Sequence, residues 1–165
     1  MTQPLNVQEM QIISKSPEDT ERIGMTLGAL LQAGDLVCLS GELGAGKTCL
    51  ARGIARGWGA REHATSPTFA LINLYHREVD AQRLYHVDAY RLRGAADAVT
   101  TGLEDVLESE DVVIIEWPER IRAILPAEYL WVSLIDSGGS ERALIVSAHG
   151  VRASALLDAL SADTT

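Results

Sequence analysis

Gly41-Glu-Leu-Gly-Ala-Gly-Lys-Thr48 is the stretch that decides the fold, because two glycines five apart, followed by Lys and Thr, fit a phosphate-binding loop. The glycines allow a tight turn in which successive backbone N–H groups converge on bound phosphates. In such a loop Lys47 reaches the β- and γ-phosphates, and the Thr48 hydroxyl binds Mg²⁺. The stretch therefore predicts that the chain binds a nucleoside triphosphate.

The sequence on both sides of this loop predicts the context that the motif requires. Residues 35–40 form a short apolar run typical of a buried strand, and residues 49–55 have the character of a helix. A strand, a glycine-rich loop and a helix in this order place the positive end of the helix at the phosphates. The motif is therefore interpreted as a functional loop and not as a chance glycine-rich turn.

Length and composition predict a single domain, spanning residues 1–165. Hydrophobic residues make up 47% of the chain and charged residues 22%, which is ordinary for a soluble globular protein. No apolar run approaches the roughly 18 residues that would cross a bilayer, and the first residues lack the pattern of a secretory signal. The spacing of Cys38 and Cys49 fits no zinc site, and their predicted positions on a strand and a helix argue against a disulfide. We therefore expect a reduced, cytoplasmic location and no association with a membrane.

The net charge is −9, from 14 basic and 23 acidic residues. Proteins that bind tRNA or DNA tightly usually present a basic surface that displaces counterions from the phosphates. The acidic balance therefore argues against tight, direct binding of a nucleic acid, although it leaves room for a local basic patch.

The remaining elements predict an α/β fold of the P-loop NTPase type, with three layers, a central mainly parallel sheet and a late antiparallel hairpin. Ser16 and Pro17 open the first helix, and a Gly57-Trp58-Gly59 break ends the helix after the loop. Strands are predicted at residues 9–14, 35–40, 71–76, 83–88, 112–116, 129–135 and 142–147, and helices at residues 16–34, 49–55, 95–108 with a break at Gly102, 118–125 and near the C-terminus.

Two carboxylates at predicted strand ends are candidates for chemistry, because ligands of such sheets bind at the carboxyl ends of the strands. Glu116 ends an apolar strand and could support Mg²⁺; alternatively it is solvated or caps the helix that starts at Pro118. Asp88 ends another strand and could orient or deprotonate water, or belong to a structural hydrogen-bond network. His86 is the weaker candidate, because a lone histidine on a strand is more often packed or surface-facing than catalytic.

Ser66-Pro-Thr-Phe69 follows the loop after the P-loop helix. A hydroxyl in this segment could meet the γ-phosphate, as switch segments do. Alternatively the segment is a capped turn that Phe69 anchors in the core.

Taken together, the P-loop, Ser66-Pro-Thr-Phe69, His86-Val-Asp-Ala-Tyr-Arg91 and Glu116-Trp-Pro118 resemble the motif set of the TsaE family. These are small bacterial P-loop ATPases required for making threonylcarbamoyladenosine at position 37 of tRNAs that read codons beginning with A. The resemblance spans nearly the whole chain, and the order and spacing of the motifs are more specific than any one of them.

The resemblance implies a role for each matching position. Asp88 would be the essential acid, Thr68 would lie in the first switch, and Trp117 would lie beside the nucleotide. Cys49 departs from the family, where many relatives carry Thr or Ser, but its backbone N–H remains available to the α-phosphate. The implied phosphate-binding residues are Gly44, Ala45, Gly46, Lys47, Thr48 and Cys49; the implied Mg²⁺ ligands are Thr48 and Glu116; and the implied catalytic residues are Lys47, Asp88, Glu116 and Thr68.

The resemblance also implies partners. ATP hydrolysis would reset a complex with the TsaD and TsaB proteins, TsaD would transfer the threonylcarbamoyl group, and tRNA would be contacted only indirectly through the complex. Hydrolysis by the chain alone would then be slow, because a partner completes the site.

The sequence leaves three alternative functions to consider. A GTPase is disfavoured because neither Asn6 nor Asn73 is followed by the lysine of the guanine-reading motif Asn-Lys-x-Asp. A small-molecule kinase is the main enzymatic alternative, although no lid-like insertion is evident; the arginines that could serve a lid are Arg91, Arg93, Arg120 and Arg122. A subunit that binds ATP without cleaving it is the third.

Overall fold

The computed structural model describes residues 7–62 and 72–164. In these two ranges strands and helices alternate along much of the chain. The elements are β1 (Gln8–Ser14), α1 (Pro17–Leu30), β2 (Leu36–Ser40), α2 (Lys47–Trp58), β3 (Ile72–His76), β4 (Arg83–Asp88), α3 (Ala95–Thr100), α4 (Leu103–Glu108), β5 (Val112–Glu116), a 3₁₀ helix (Pro118–Ile124), β6 (Tyr129–Gly138), β7 (Glu141–His149) and α5 (Val151–Thr164).

These strands form one sheet in the order β1-β7-β6-β2-β5-β4-β3. The four neighbours β6, β2, β5 and β4 run parallel, whereas β7 is antiparallel to both β6 and β1, and β3 is antiparallel to β4. Five of the described strands therefore point the same way, and β3 and β7 point the other way. The mainly parallel sheet and the late antiparallel hairpin, formed by β6 and β7, are confirmed.

Helices cover both faces of the sheet, which confirms the three predicted layers. On one face α1, α2 and α5 pack around side chains such as Leu39 and Ile114. On the other face α3, α4 and the 3₁₀ helix pack around Cys38 and Ile115. Because successive side chains of a strand point to opposite faces, the continuous apolar runs of β2 and β5 supply both cores.

Helix α1 crosses α2 at very short range, and glycines make this possible. A Cβ added at any of four glycines would lie within 2.0–2.5 Å of a backbone oxygen of the other helix. Such a contact can be relieved only by moving a helix, because no side chain is there to rotate away. The glycines are Gly24 and Gly28 on α1, and Gly53 and Gly57 on α2.

Two predicted boundaries were wrong. Helix α2 continues through Gly57 and Trp58, where a break was predicted, because Gly57 serves the helix crossing; Gly59, with φ 103°, ends the helix instead. The first helix ends at Leu30 and not near Gly34. Its predicted start is confirmed, since the Ser16 side chain accepts the N–H of Asp19.

Within the part of the chain that the structure describes, none of the helices combines the length and the apolar character that crossing a membrane requires.

Candidate nucleotide-binding site

The P-loop connects the carboxyl end of β2 to the amino end of α2. Gly46 precedes the helix in a left-handed conformation, with φ 104°, and has no side chain that could accept from the first helical amides. The first N–H groups of a helix have no partner within the helix and carry a partial positive charge. This loop therefore presents free amide donors at the positive end of a 12-residue helix.

Lys47 lies inside the loop, with 5% of its surface exposed. Its ammonium donates to the carbonyl of Gly41 and, at 2.8 Å, to that of Glu42. It also lies 4.4 Å from the centre of the Trp117 ring. Burial lowers the pKa of Lys47, and the nearby carboxylates, Glu116 first among them, oppose this shift.

Thr48 and Glu116 meet beside the loop. The Thr48 hydroxyl donates to Glu116 Oε1 at 3.3 Å, and Glu116 Oε2 lies 2.6 Å from Nε2 of His86. Glu116 is 3% exposed and His86 is 2% exposed. Glu116 is therefore neither solvated nor a cap of the 3₁₀ helix, whose N-cap residue is Trp117.

Asp88 and Glu116 end neighbouring parallel strands and face each other in register. Asp88 is half-buried, and its Oδ1 accepts the N–H of Tyr90 at 3.0 Å, which turns the chain just after β4. The expected pair of strand-end carboxylates is thus brought together at the edge of the sheet where the P-loop lies.

Trp117 has an unusual backbone conformation, with φ 60° and ψ 49°; among the described residues other than glycine, it alone has a positive φ. In this conformation its ring contacts the Lys47 ammonium and also the Tyr90 ring, whose centre is 4.9 Å away. The Arg120 guanidinium lies 5.7 Å from the Tyr90 ring. Strained residues of this kind concentrate at functional sites.

Two of the cavities that described residues line adjoin the P-loop. The larger, of about 680 Å³, lies between the first half of the loop and a wall formed by Trp117, Arg120 and residues 133–136. The smaller, of about 390 Å³, lies on the side of Cys49 and is also lined by Pro17 and Arg142. The loop itself separates the two spaces.

The oxygen atoms of Thr48 and Glu116 are a donor set that suits Mg²⁺, which is commonly bound by one or two protein oxygens, phosphate oxygens and water. Across residues 7–62 and 72–164, His, Cys, Asp and Glu do not gather in groups of three or more that could hold a metal by themselves. Thr48 and Glu116 therefore fit a magnesium ion that phosphate oxygens also bind.

The model of a sequence family described as "Threonylcarbamoyl adenosine biosynthesis protein TsaE" matches residues 14–144. The chain belongs to the TsaE family. The tRNA threonylcarbamoyladenosine biosynthesis protein TsaE of Treponema pallidum (strain Nichols) is 42% identical to it over 125 residues, which cover 76% of this chain and 90% of that protein. The TsaE protein of Bacillus subtilis (strain 168) is 35% identical over 146 residues, covering 88% and 90%.

A solved structure agrees with this TsaE assignment. The crystal structure of YdiB from Bacillus subtilis matches this chain with a TM-score of 0.80 and 31% identity, covering 96% of this chain and 98% of YdiB. The predicted P-loop fold is thereby confirmed.

The predicted site residues of this TsaE chain lie together, with one exception. Lys47, Asp88 and Trp117 lie around the loop as described above, and Glu116 contacts Thr48. Thr68 lies outside the described residues, as does the rest of Ser66-Pro-Thr-Phe69.

Sequence reasoning missed two residues of this region. His86 is packed, as is usual for a lone histidine on a strand, but the sequence does not predict that its partner is Glu116. Arg142 is not among the predicted site residues, yet its guanidinium contacts the P-loop at Gly44 O. The parallel pairing of two strands that each carry an acid could have suggested His86, whereas no local signal pointed to the Arg142 contact.

Proposed function

We propose that this TsaE chain binds ATP with Mg²⁺ and hydrolyses it as a subunit of the machinery that forms threonylcarbamoyladenosine at position 37 of tRNAs reading codons that begin with A. The names of its relatives support the pathway. The proposed ATPase activity is supported by one observation above all: Thr48 contacts the buried Glu116 at the amino end of α2, which no side chain caps. A hydroxyl and a carboxylate at that place are what a P-loop nucleotide with Mg²⁺ needs.

In this proposal the backbone N–H groups of residues 44–49 donate to the phosphate oxygens. Lys47 turns from the carbonyls of Gly41 and Glu42 to the β- and γ-phosphates, which replace two neutral acceptors by charged ones. The exchange is favourable because the Lys47 ammonium is buried and its neighbouring carboxylates do not fully offset the cost of burial. The nucleoside extends into the smaller cavity beside Cys49.

Thr48 and Glu116 would hold Mg²⁺, which when bound neutralises charge that develops on the phosphate oxygens. His86 fixes the orientation of the Glu116 carboxylate through its contact with Oε2, as hydrogen-bonding residues around a metal site do for metal-binding carboxylates. Asp88, at the end of the adjacent strand, would orient or deprotonate the attacking water. Thr68 would sense the γ-phosphate from the first switch.

The proposal includes the partners TsaD and TsaB. Hydrolysis would reset their complex between cycles, TsaD would transfer the threonylcarbamoyl group, and tRNA would be held by the complex. The net charge of −9 supports an indirect role toward tRNA. A cytoplasmic location belongs to the same proposal, and the free cysteines Cys38 and Cys49 agree with a reducing compartment.

Reconstitution tests this function directly. The purified chain, TsaD, TsaB, tRNA and ATP are combined, and modified nucleoside is counted per complex. We expect many cycles with the wild-type chain but no more than about one with Glu116→Gln, which keeps ATP binding while losing a charged Mg²⁺ ligand. The matched control is Glu110→Gln, an exposed acid just before the other end of β5, which should cycle normally.

Repeated cycles with Glu116→Gln would contradict the role of Glu116. Phosphorylation of an added metabolite, without stimulation of ATP hydrolysis by TsaD and TsaB, would favour the small-molecule kinase instead.

A further inference from the structure

The smaller cavity is built from three segments that are distant in sequence. Pro17 and Thr20 belong to the start of α1, and residues 44–46 and Cys49 belong to the P-loop and α2. Residues 139 and 140 connect β6 to β7, and Arg142 lies at the start of β7. We call residues 136–142 the β6–β7 turn. A cavity assembled in this way keeps its shape only if the segments are fixed to one another.

Arg142 provides the most extensive of these connections. Its Nη1 donates to the carbonyls of Gly139 and Glu141, both at 2.9 Å, and to Asp136 Oδ1 at 3.3 Å. Its Nη2 donates to Gly44 O in the P-loop, at the longer distance of 3.5 Å. The side chain is only 18% exposed. One guanidinium thus holds the β6–β7 turn together and joins it to the P-loop.

Two weaker contacts complete the arrangement. The Cys49 thiol donates to Pro17 O at 3.1 Å, which joins α2 to the start of α1. The Ser140 hydroxyl donates to Lys15 O at 3.3 Å, which joins the β6–β7 turn to the residues just before α1. Each pair of segments is therefore linked once.

We propose that Arg142 is a positioning residue for the nucleoside part of the bound nucleotide, an inference that rests on the proposed function. By holding the β6–β7 turn against Gly44, Arg142 sets the wall of the cavity that receives the ribose and base. The turn contains Gly138 and Gly139, with φ angles of 111° and 57°. Glycines have great conformational freedom, which the contacts of Arg142 restrict in addition to the pairing of β6 with β7. The phosphates, in contrast, are bound by backbone amides that Arg142 does not supply.

This assignment predicts that Arg142 affects ATP and inorganic tripolyphosphate differently. Calorimetry with Mg²⁺ measures the Kd of both ligands. Arg142→Ala is expected to weaken ATP binding about tenfold, the effect of losing one charge-assisted hydrogen-bond network, and to leave the Kd of tripolyphosphate within about twofold. Arg142→Lys should retain most of the ATP defect, because an ammonium cannot bridge the same four acceptors.

Arg56→Ala is the matched control, since Arg56 is an arginine at the far end of α2 whose ion pair with Glu21 is largely exposed. It should leave both Kd values unchanged. Thermal melting of each variant shows that it is folded; if Arg142→Ala does not fold, Arg142→Lys and Ser140→Ala carry the test, with Ser140→Ala showing the same selectivity at smaller size.

Equal losses for ATP and tripolyphosphate would overturn the inference, because Arg142 would then act on the phosphates or on the whole fold. An unchanged ATP affinity in Arg142→Ala, or full rescue by Arg142→Lys, would overturn it as well. A folded wild-type chain that binds neither ligand would instead overturn the proposed function on which the inference rests.

Discussion

Replacing Gly28 by alanine changes the free energy of unfolding in two opposite ways. The higher helix propensity of alanine raises it, and the closer packing of α1 against α2 lowers it. Alanine is favoured over glycine in a helix interior by about 0.8–1 kcal/mol. The new Cβ, however, would lie 2.1 Å from Ile54 O and 2.8 Å from the N atom of Trp58. Because a carbon normally approaches a carbonyl oxygen to no less than about 3.3 Å, α1 and α2 would have to separate by about 1 Å.

Overpacking of this severity typically costs about 1–3 kcal/mol and sometimes more. Because these contacts are with backbone atoms and very close, we take the upper end of this range, about 3 kcal/mol; after the propensity gain we expect Gly28→Ala to lower the free energy of unfolding by about 2 kcal/mol. For a chain of this size that corresponds to a fall in Tm of about 4–8 °C. ATP binding should weaken too, because α1 carries Pro17 and Thr20 into the smaller cavity.

Urea and thermal unfolding of the purified chain measure the effect. The control is Ala29→Gly, the neighbouring and exposed position of the same helix, which should lose only the propensity term of about 1 kcal/mol. A Gly28→Ala variant as stable as the wild type, or more stable, would refute the argument, since propensity would then outweigh a contact that is not as close as described.

Three further outcomes are expected. Cys49→Thr should leave ATP turnover within a few-fold, because a hydroxyl can still donate to Pro17 O; a large gain in rate would show that the position was misjudged. Arg152→Met should lower the free energy of unfolding by about 2 kcal/mol in urea, since it leaves the buried Asp35 without its two-pronged partner; no loss would mean that the pair is dispensable. Burial lowers the pKa of Lys47 in the folded chain. Between this pKa and the higher pKa of Lys47 in the unfolded chain, the folded chain binds fewer protons than the unfolded chain. Lys47 therefore makes the free energy of unfolding rise as the pH increases through this range. The difference in Tm between the wild type and Lys47→Met should therefore shift in favour of the wild type from about pH 8 to about pH 10, and parallel curves would contradict this.

Much of the fold followed from local sequence. The P-loop pattern, the helix start at Ser16 and Pro17 and the apolar run of β5 each depend on neighbouring residues, and each was placed correctly. Periodicity does not encode which strands pair, so the order of the sheet could not be predicted in the same way. The glycines of the helix crossing, spaced four apart on both α1 and α2, were a signal that was read as a helix break at Gly57.

The residues of the candidate site also differ in whether local sequence predicts them. Lys47 and Thr48 belong to a contiguous motif, and Glu116 follows a run of buried residues, so sequence alone predicts them as site residues. The contact of His86 with Glu116 depends on the pairing of β4 with β5, across 30 residues. The contact of Arg142 with Gly44 spans 98 residues and an exposed turn. Contacts of that kind require the folded structure.

Calorimetric titration of ATP with Mg²⁺ into the wild-type chain and into Lys47→Ala tests the central claim most directly. We expect binding with one site per chain for the wild type and loss of measurable affinity for Lys47→Ala, with the folded state of both checked by thermal melting. No heat from a folded wild-type chain, or equal affinity in Lys47→Ala, would contradict the claim that this loop grips the phosphates of ATP.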